Sequence, residues 1–197
     1  MDIQRVYKLS QHELNQIVDL HTNFLQESFL NNLGKEFLKI SYVSIIKNKN
    51  FFFILRDKKQ IIGFLVATKD SSKFSEIVIK ENFLILLKAI LKTCFYKPLV
   101  IYKLIAWFLF PPKSFKMIKP ELQFFVIHPN FQRNGWGKKM VCKLQNEFKN
   151  ANIMKYKVGT KANNPSSNNF YKKMNFTILG SELAFGDKFN YYQSPNF

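Results

Sequence analysis

The chain has 197 residues, a length that suits one compact domain or one domain that carries an insertion. Hydrophobic residues make up 47% of it and aromatic residues 16%, which excludes an intrinsically disordered chain. The formal net charge is +17, from 30 Lys and Arg against 13 Asp and Glu, but only Arg5, Arg56 and Arg133 are arginines. Because bidentate contacts to bases and phosphates favour arginine, we expect a generally basic surface and no nucleic-acid partner.

The cysteine and histidine content argues against a disulfide-stabilised or metal-binding protein. Two cysteines, Cys94 and Cys142, are too few for a disulfide framework, and the three histidines are scattered along the chain. The N-terminus lacks the apolar run of a signal peptide. We therefore expect a cytoplasmic protein without a metal ion.

The first seventy residues predict the order strand, helix, helix, strand, strand. Ser10 and Glu13 form a capping-box pattern, which indicates a helix start, and apolar residues follow at helical spacing. Two short apolar runs around a polar break predict a β-hairpin. The predicted elements are a strand at 3–9, a helix from Ser10 past Leu25, a helix from residue 33 or 34 to 46, and hairpin strands at 51–55 and 61–67 around the polar residues 57–60.

Residues 71–119 read as a helical insertion. The segments 82–91 and 99–110 are apolar and helix-like, and Pro111-Pro112 ends them. Lysines interrupt both segments, so no uncharged run approaches the ~18–20 residues that span a bilayer. The insertion is either a helical pair that packs on the core, which we favour, or a basic element that contacts a membrane surface through residues 82–110.

The remaining third of the chain alternates strands and helices. Asn164 and Pro165 are typical of a helix start, with Ser167, Phe170, Tyr171 and Met174 on the predicted inner face. The predicted order is a strand at 122–127, a helix at 137–149, a strand at 156–161, a helix at 165–174 and two strands flanking Gly186-Asp187.

A glycine-containing loop leads from the strand at 122–127 into the next helix. Gly135 and Gly137 let the backbone approach a ligand closely, and the free N–H groups of the first helical turn favour an anion. In physical terms this loop can hold a pyrophosphate. Glycines spaced in this way also occur in ordinary tight turns, so the loop alone is a weak signal.

The loop Gln132-Arg133-Asn134-Gly135-Trp136-Gly137 resembles the Arg/Gln-x-x-Gly-x-Gly/Ala acetyl-CoA-binding motif of the GNAT superfamily of acyltransferases. Thirty residues later, Asn-Pro-Ser-Ser-Asn-Asn-Phe-Tyr-Lys-Lys-Met-Asn-Phe at 164–176 resembles the family's Asn-x-x-Ala-x-x-Phe-Tyr-x-Lys-x-Gly-Phe. Ser167 replaces Ala, and Asn175 replaces Gly at a helix end where a left-handed residue is needed. Ile62-Gly63-Phe64 resembles the third strand of the family.

The resemblance implies a mixed α/β (α+β) fold over residues 1–197. Its central sheet is flanked by helices and splayed between strands 4 and 5, with the insertion at about 71–119. It also implies an N-acetyltransferase that moves an acetyl group from acetyl-CoA to a primary amine by direct attack in a ternary complex. Tyr171 would be the general acid that protonates the leaving thiolate.

The resemblance assigns cofactor contacts to the end of the fourth strand, to the loop and to the second motif. The pyrophosphate would lie on the backbone of residues 132–138, and the pantetheine arm would run along the strand. The residues concerned are Phe125, Val126, Ile127, Gln132, Arg133, Asn134, Gly135, Trp136, Gly137, Lys138, Asn164 and Phe170.

The general base is not fixed by the resemblance. An alkyl ammonium has no lone pair, so the acceptor must lose a proton before it attacks. Gln123 and Gly159 stand where relatives often carry a glutamate, and neither ionises. The candidates for the base are Glu121, His128, His21 and Glu27, none of them at a motif position, and Glu121 is the one that we retain. A water chain or an already neutral amine would remove the need for a base.

The region after the first strand resembles family members associated with surface-polysaccharide gene clusters. The resemblance implies an amino-sugar acceptor, with contacts from His21, Glu27, Phe29 and Gln123. The competing hypothesis is a non-catalytic module of the same fold, whose basic surface binds an anionic membrane or a nucleic acid. Either a monomer or a homodimer fits the sequence.

Overall fold

The computed structural model describes residues 1–25, 28–96, 115, 117–184 and 186–197. Helices and strands make up most of this length, and a 3₁₀ turn at Pro129–Phe131 follows the fourth strand. The elements are β1 (Asp2–Arg5), α1 (Gln11–Phe24), α2 (Phe29–Asn32), α3 (Lys35–Lys47), β2 (Phe51–Asp57), β3 (Gln60–Thr68), α4 (Ser71–Glu81), α5 (Phe83–Tyr96), β4 (Glu121–Ile127), α6 (Trp136–Asn150), β5 (Lys157–Lys161), α7 (Pro165–Lys173), β6 (Thr177–Ala184) and β7 (Asp187–Gln193).

A seven-stranded mixed sheet in the order β1-β2-β3-β4-β5-β7-β6 forms the centre of the fold. Strands β4 and β5 run parallel, and the other neighbouring strands run antiparallel. This is the mixed α/β architecture that the sequence predicted.

The sheet is covered on both faces, and the alternation of side chains along β2 divides the core in two. Phe52 and Ile54 pack with the helices α1 and α3, whereas Phe51, Phe53 and Leu55 pack with α6. All five side chains are buried. Each half of the core therefore has its own helices, and the sheet separates them.

Local sequence signals set the helix starts. The Ser10 hydroxyl accepts from the N–H of Glu13 at 3.3 Å, and the Glu13 carboxylate accepts from the N–H of Ser10 at 2.8 Å, which confirms the predicted capping box. Helix α3 begins at Lys35, one residue after the later of the two predicted starts, and Gly34, with φ +89°, is its N-cap. The short helix α2 was not predicted.

The hairpin confirms the predicted pair of strands but not the length of the break between them. Asp57 pairs with Gln60, so the turn contains only Lys58 and Lys59, and Lys58 has a positive φ of 51°. The prediction of a four-residue break was therefore wrong. Asp57 and Gln60 are polar, but their backbones pair and so extend the two strands.

The described part of the insertion is helical. The helix predicted at 82–91 lies within α5, whereas the helix predicted at 99–110 lies outside the described residues. Within the part of the chain that the structure describes, no helix has the length and apolarity needed to cross a bilayer.

Candidate active site

The sheet opens between β4 and β5. These strands share only two residue pairs, Glu121 with Lys157 and Leu122 with Val158, and within the described residues β4 has no further pairing to β5. On its other side β4 stays paired to β3, with Gln123 as an extra residue where the register shifts. A bulge bends its strand, so the bulge at Gln123 accounts for the divergence that begins there.

The opening exposes a backbone edge of β4. The His128 N–H donates to the Ile62 carbonyl of β3 at 2.8 Å, and peptide groups alternate in direction along a strand. The backbone N–H and C=O groups of Val126 therefore face β3, whereas the peptide groups of Phe125 and Ile127 face the opening. Such an edge can hydrogen-bond an extended ligand as an additional strand would.

A tight loop connects this edge to α6. The Gln132 side chain donates through Nε2 to the Ile127 carbonyl at 2.7 Å, which ties the loop to the end of the strand. Arg133 and Gly135 both have positive φ, 62° and 79°. Gly135 is the N-cap of α6, and the N–H of Lys139 makes the first bond of the helix, to the Gly135 carbonyl at 3.1 Å.

The first turn of α6 therefore has a geometry that favours an anion. The N–H groups of residues 136–138 precede the first intrahelical bond and point out of the helix end. The helix dipole adds partial positive charge there. Arg133, Asn134 and Lys138 are exposed around this end, so two full positive charges lie beside the free N–H groups.

Gly137 brings α6 close to α7. A Cβ atom at this position would lie 3.1 Å from Cε2 of Phe170 and 3.7 Å from Cδ1 of Ile127. The Phe170 ring lies 5.9 Å from that of Phe125. The lack of a side chain at Gly137 allows this close approach. The loop, the edge of β4 and the second motif therefore lie next to one another at Gly137.

Helix α7 begins as predicted and is held by an amide that was not predicted. The Asn164 side chain accepts from the N–H of Ser167 at 3.0 Å, which makes it the N-cap. The prediction placed Ser167 on the inner face, but Asn168 is the polar residue that is buried. The Asn168 amide donates to the carbonyls of Lys161 and Asn164 and accepts from Asn190 Nδ2 and the Tyr192 hydroxyl, at 2.6–2.8 Å.

Tyr171 lies in the half of the core next to α6. Its side chain is buried, and its ring contacts those of Phe170, Phe176 and Tyr192. Burial raises the pKa of Tyr171 above its ordinary value, because the phenolate would be desolvated. The phenol is therefore protonated at neutral pH.

Charged and polar side chains collect at the closed end of the opening. Glu121 Oε2 lies 3.6 Å from Nζ of the buried Lys157, which also donates to the Phe115 carbonyl at 3.2 Å. Burial raises the pKa of Glu121, although Lys157 opposes this shift. Burial also raises the pKa of Tyr191, with smaller contributions from the negative charges of Glu121 and Glu182. The lysine and Tyr191 were not predicted: a lysine in a strand usually faces solvent, and the sequence does not show that Tyr191 lies near Glu121.

The predicted acceptor residues have different surroundings. His21 is completely buried, its Nδ1 lies 2.5 Å from the Tyr42 hydroxyl, and its ring contacts those of Phe64 and Phe124. Burial lowers the pKa of His21 to about 4, so the imidazole is neutral. Phe29 is the first residue of α2, Gln123 lies at the bulge of β4, and Glu27 lies outside the described residues.

His128, another of the candidates for the base, lies at the other end of β4. Its Nδ1 accepts from the N–H of Asn130 at 3.3 Å, and its ring contacts Phe24 and Phe131. Among the described residues there is no group of three potential metal ligands. Thus Glu121 lies where the opening closes, whereas His128 lies at the end next to the loop.

The model of the GNAT acetyltransferase family matches residues 14–176. The chain belongs to this family. The match runs from α1 to the end of the second motif and includes the opened sheet and the loop. No curated relative matches the sequence.

Solved structures of GNAT enzymes resemble the whole fold. An N-acetyltransferase from Staphylococcus aureus Mu50 is 12% identical, with a TM-score of 0.62 and 98% of each chain covered. A ribosomal-protein-alanine N-acetyltransferase from Brucella melitensis is also 12% identical, with a TM-score of 0.62 and 98% of this chain and 99% of that chain covered. The protein yncA from Salmonella typhimurium, solved with its cofactor acetyl-CoA, is 11% identical, with a TM-score of 0.61 and 98% and 92% covered. At these identities the likeness shows the fold alone.

Proposed function

We propose that this GNAT protein is an N-acetyltransferase that moves an acetyl group from acetyl-CoA to a primary amine by direct attack in a ternary complex. The observation that carries the proposal is the opening of the sheet after two β4–β5 pairs, next to the glycine loop at the start of α6. In this proposal residues 1–197 form one domain with an insertion at about 71–119. It acts in the cytoplasm as a monomer or homodimer.

The loop and the strand edge divide the binding of acetyl-CoA between them. The N–H groups of residues 136–138 would hold the pyrophosphate, and Arg133 and Lys138 would add charge. The edge of β4 at Phe125 and Ile127 would hydrogen-bond the pantetheine arm. Asn164 and Phe170, at the start and middle of α7, would line its other side.

Acetyl-CoA supplies an acyl group that is activated as a thioester. A backbone N–H on the exposed edge of β4 would polarise the thioester carbonyl. In the transfer a C–N bond forms and the C–S bond breaks. Tyr171 would give its phenolic proton to the leaving sulfur; burial keeps this phenol protonated at neutral pH because it raises the pKa of Tyr171.

Glu121 is the base that the geometry favours. It lies at the closed end of the opening, and its raised pKa makes it a stronger base than an exposed glutamate. Lys157, 3.6 Å away, keeps the carboxyl in position. The amine would pass its proton to this carboxylate either directly or through one water molecule.

An amino sugar is the acceptor class to screen first. This choice rests on the sequence resemblance of the region around His21 and Phe29, and a broad panel of primary amines is needed beside it. The release of free thiol from acetyl-CoA reports any acceptor that is used. If no amine in a broad panel releases thiol, the transferase proposal fails.

The first experiment is a calorimetric titration of acetyl-CoA into the wild type and two charge-reversal variants. Lys138→Glu changes an exposed lysine in the first turn of α6, and Lys143→Glu makes the same change further along the helix. We expect Lys138→Glu to weaken binding about tenfold, because one charge-assisted contact is lost and a repulsion is added, and Lys143→Glu to stay within about twofold.

A third variant tests the close approach at Gly137. Gly137→Glu should abolish binding, because its side chain would fill the space between the loop and Phe170. Thermal unfolding of each variant shows whether the fold is retained. If the wild type does not bind acetyl-CoA, the enzyme proposal is wrong and the non-catalytic module with a basic surface becomes the better explanation.

A further inference from the structure

The helix α5 is apolar on both of its faces. On the inner face Ile85, Leu86 and Ile90 pack against the half of the core that contains α1 and α3. The outer face, defined here as Phe83, Leu84, Leu87 and Leu91, is exposed to solvent at 58%, 72%, 43% and 62%. Because residues turn by about 100° each in an α-helix, these four side chains fall within an arc of about 100°.

Such a face is unusual for a helix of a soluble domain. Single exposed apolar residues need no explanation, but a contiguous apolar patch marks an interaction site. A helix that is apolar all round is normally buried. The outer face of α5 therefore requires a partner.

We propose that the outer face of α5 docks on an anionic lipid surface. Lys88 is exposed at the border of the face, and the sequence of α5 contains two lysines and no acidic residue. The whole chain carries a net charge of +17. An apolar face bordered by a lysine on a strongly basic protein is the combination that binds anionic membranes at their surface.

The charges of the neighbouring helix do not oppose this docking. Glu76 is paired with Lys80 at 2.5 Å, and Glu81 accepts a hydrogen bond from Asn48 at 2.9 Å. A helix of 14 residues is about 21 Å long, shorter than the ~30 Å hydrocarbon core. The helix would therefore lie in the plane of the membrane surface and not across it.

Co-sedimentation with vesicles tests the proposal, using the full chain. Phosphatidylcholine vesicles that contain phosphatidylglycerol provide the anionic surface, and pure phosphatidylcholine vesicles are the neutral control. The variant is Leu84→Glu, and Leu183→Glu on β6 is a matched control, because the two leucines are 72% and 73% exposed.

We expect the wild type to bind the anionic vesicles and Leu84→Glu to bind about tenfold or more weakly, since an apolar contact is replaced by a charge that the lipid repels. Leu183→Glu should remain within about twofold of the wild type. Lys88→Gln should weaken binding about fivefold at low salt, with a smaller effect at high salt.

Several outcomes would overturn the proposal. Absence of wild-type binding to the anionic vesicles would do so, as would equal losses for Leu84→Glu and Leu183→Glu. If light scattering shows a dimer that Leu84→Glu dissociates, and no vesicle binding is seen, the partner is a second copy. If Leu84→Glu instead lowers the melting temperature of a non-binding monomer, the face is covered by the protein's own chain, with residues 97–114 as the first segment to examine.

Discussion

Replacing His21 should change how the stability of the fold depends on pH. The imidazole is completely buried among aromatic rings, and burial lowers its pKa to about 4 from the ordinary 6.5. In the unfolded chain the same group titrates near 6.5. Between these two values the unfolded chain binds more protons than the folded chain, so the free energy of unfolding falls as the pH decreases through this window.

The size of this effect follows from the two pKa values. Their full separation is worth about 3 kcal/mol, and the part that is lost between pH 7 and pH 5 is about 2 kcal/mol. His21→Gln removes the titration and keeps an amide oxygen that can accept from the Tyr42 hydroxyl, the partner of His21 Nδ1. Between pH 7 and pH 5 the free energy of unfolding of the variant should therefore fall by about 2 kcal/mol less than that of the wild type.

Urea unfolding of both proteins at pH 7 and pH 5 measures this difference. Comparing the change with pH, and not the absolute stability, cancels the carboxylates that titrate equally in both proteins and any packing change caused by the substitution. If both proteins lose the same stability between pH 7 and pH 5, the imidazole is not held neutral by burial, and the placement of His21 in the aromatic core is wrong.

Three further substitutions test the walls of the opening. Asn168→Ala should lower the free energy of unfolding by about 2–4 kcal/mol more than Asn169→Ala, because it removes four hydrogen bonds and leaves the buried Tyr192 hydroxyl without its acceptor. Both changes lie on α7, so their helix propensities cancel, and equal losses would contradict the role of the amide. Tyr171→Phe should lower kcat about 100-fold and leave the affinity for acetyl-CoA unchanged. Steady-state rates measure the first quantity and calorimetry the second, and an unchanged kcat would exclude the phenol as the acid. Glu121→Gln should lower kcat at least 100-fold and remove the acidic limb of the pH–rate profile. Because the pKa of Glu121 is raised, this limb should lie at a higher pH than an exposed glutamate would give, and a limb that persists in the variant would assign it to another group.

The sequence predicted the parts of the fold that local chemistry determines. The capping box of Ser10 and Glu13, the N-cap Asn164 and the left-handed Asn175 each occur where the residue type indicated. The helix predicted at 137–149 also exists as α6, and its residues Val141, Leu144 and Phe148, at helical spacing, are buried. These features depend only on residues a few positions apart, so one sequence contains all the information they need.

The parts that were missed depend on contacts between distant residues. Lys157 reads as a surface residue until its strand is placed beside Glu121, thirty-six positions earlier, and the carbonyl of Phe115. Asn168 reads as a polar position on an exposed helix face, yet its partners lie on β5 and β7. Burial of a polar side chain requires partners that only the assembled sheet supplies, and a sequence does not show which strands will be neighbours.

The bulge at Gln123 links the shape of the sheet to the chemistry that we propose. Had β4 continued to pair with β5, the peptide groups of Phe125 and Ile127 would have been used within the sheet and unavailable to a ligand. The pairs at Glu121 and Leu122 hold the strands together up to the bulge, so the opening starts at a defined residue. A partly buried carboxyl, Glu121, with a raised pKa lies at that start, and the free N–H groups of α6 lie near the far end of the strand. The length of β4 between them therefore sets the separation between the proposed acyl-transfer site and the proposed pyrophosphate site.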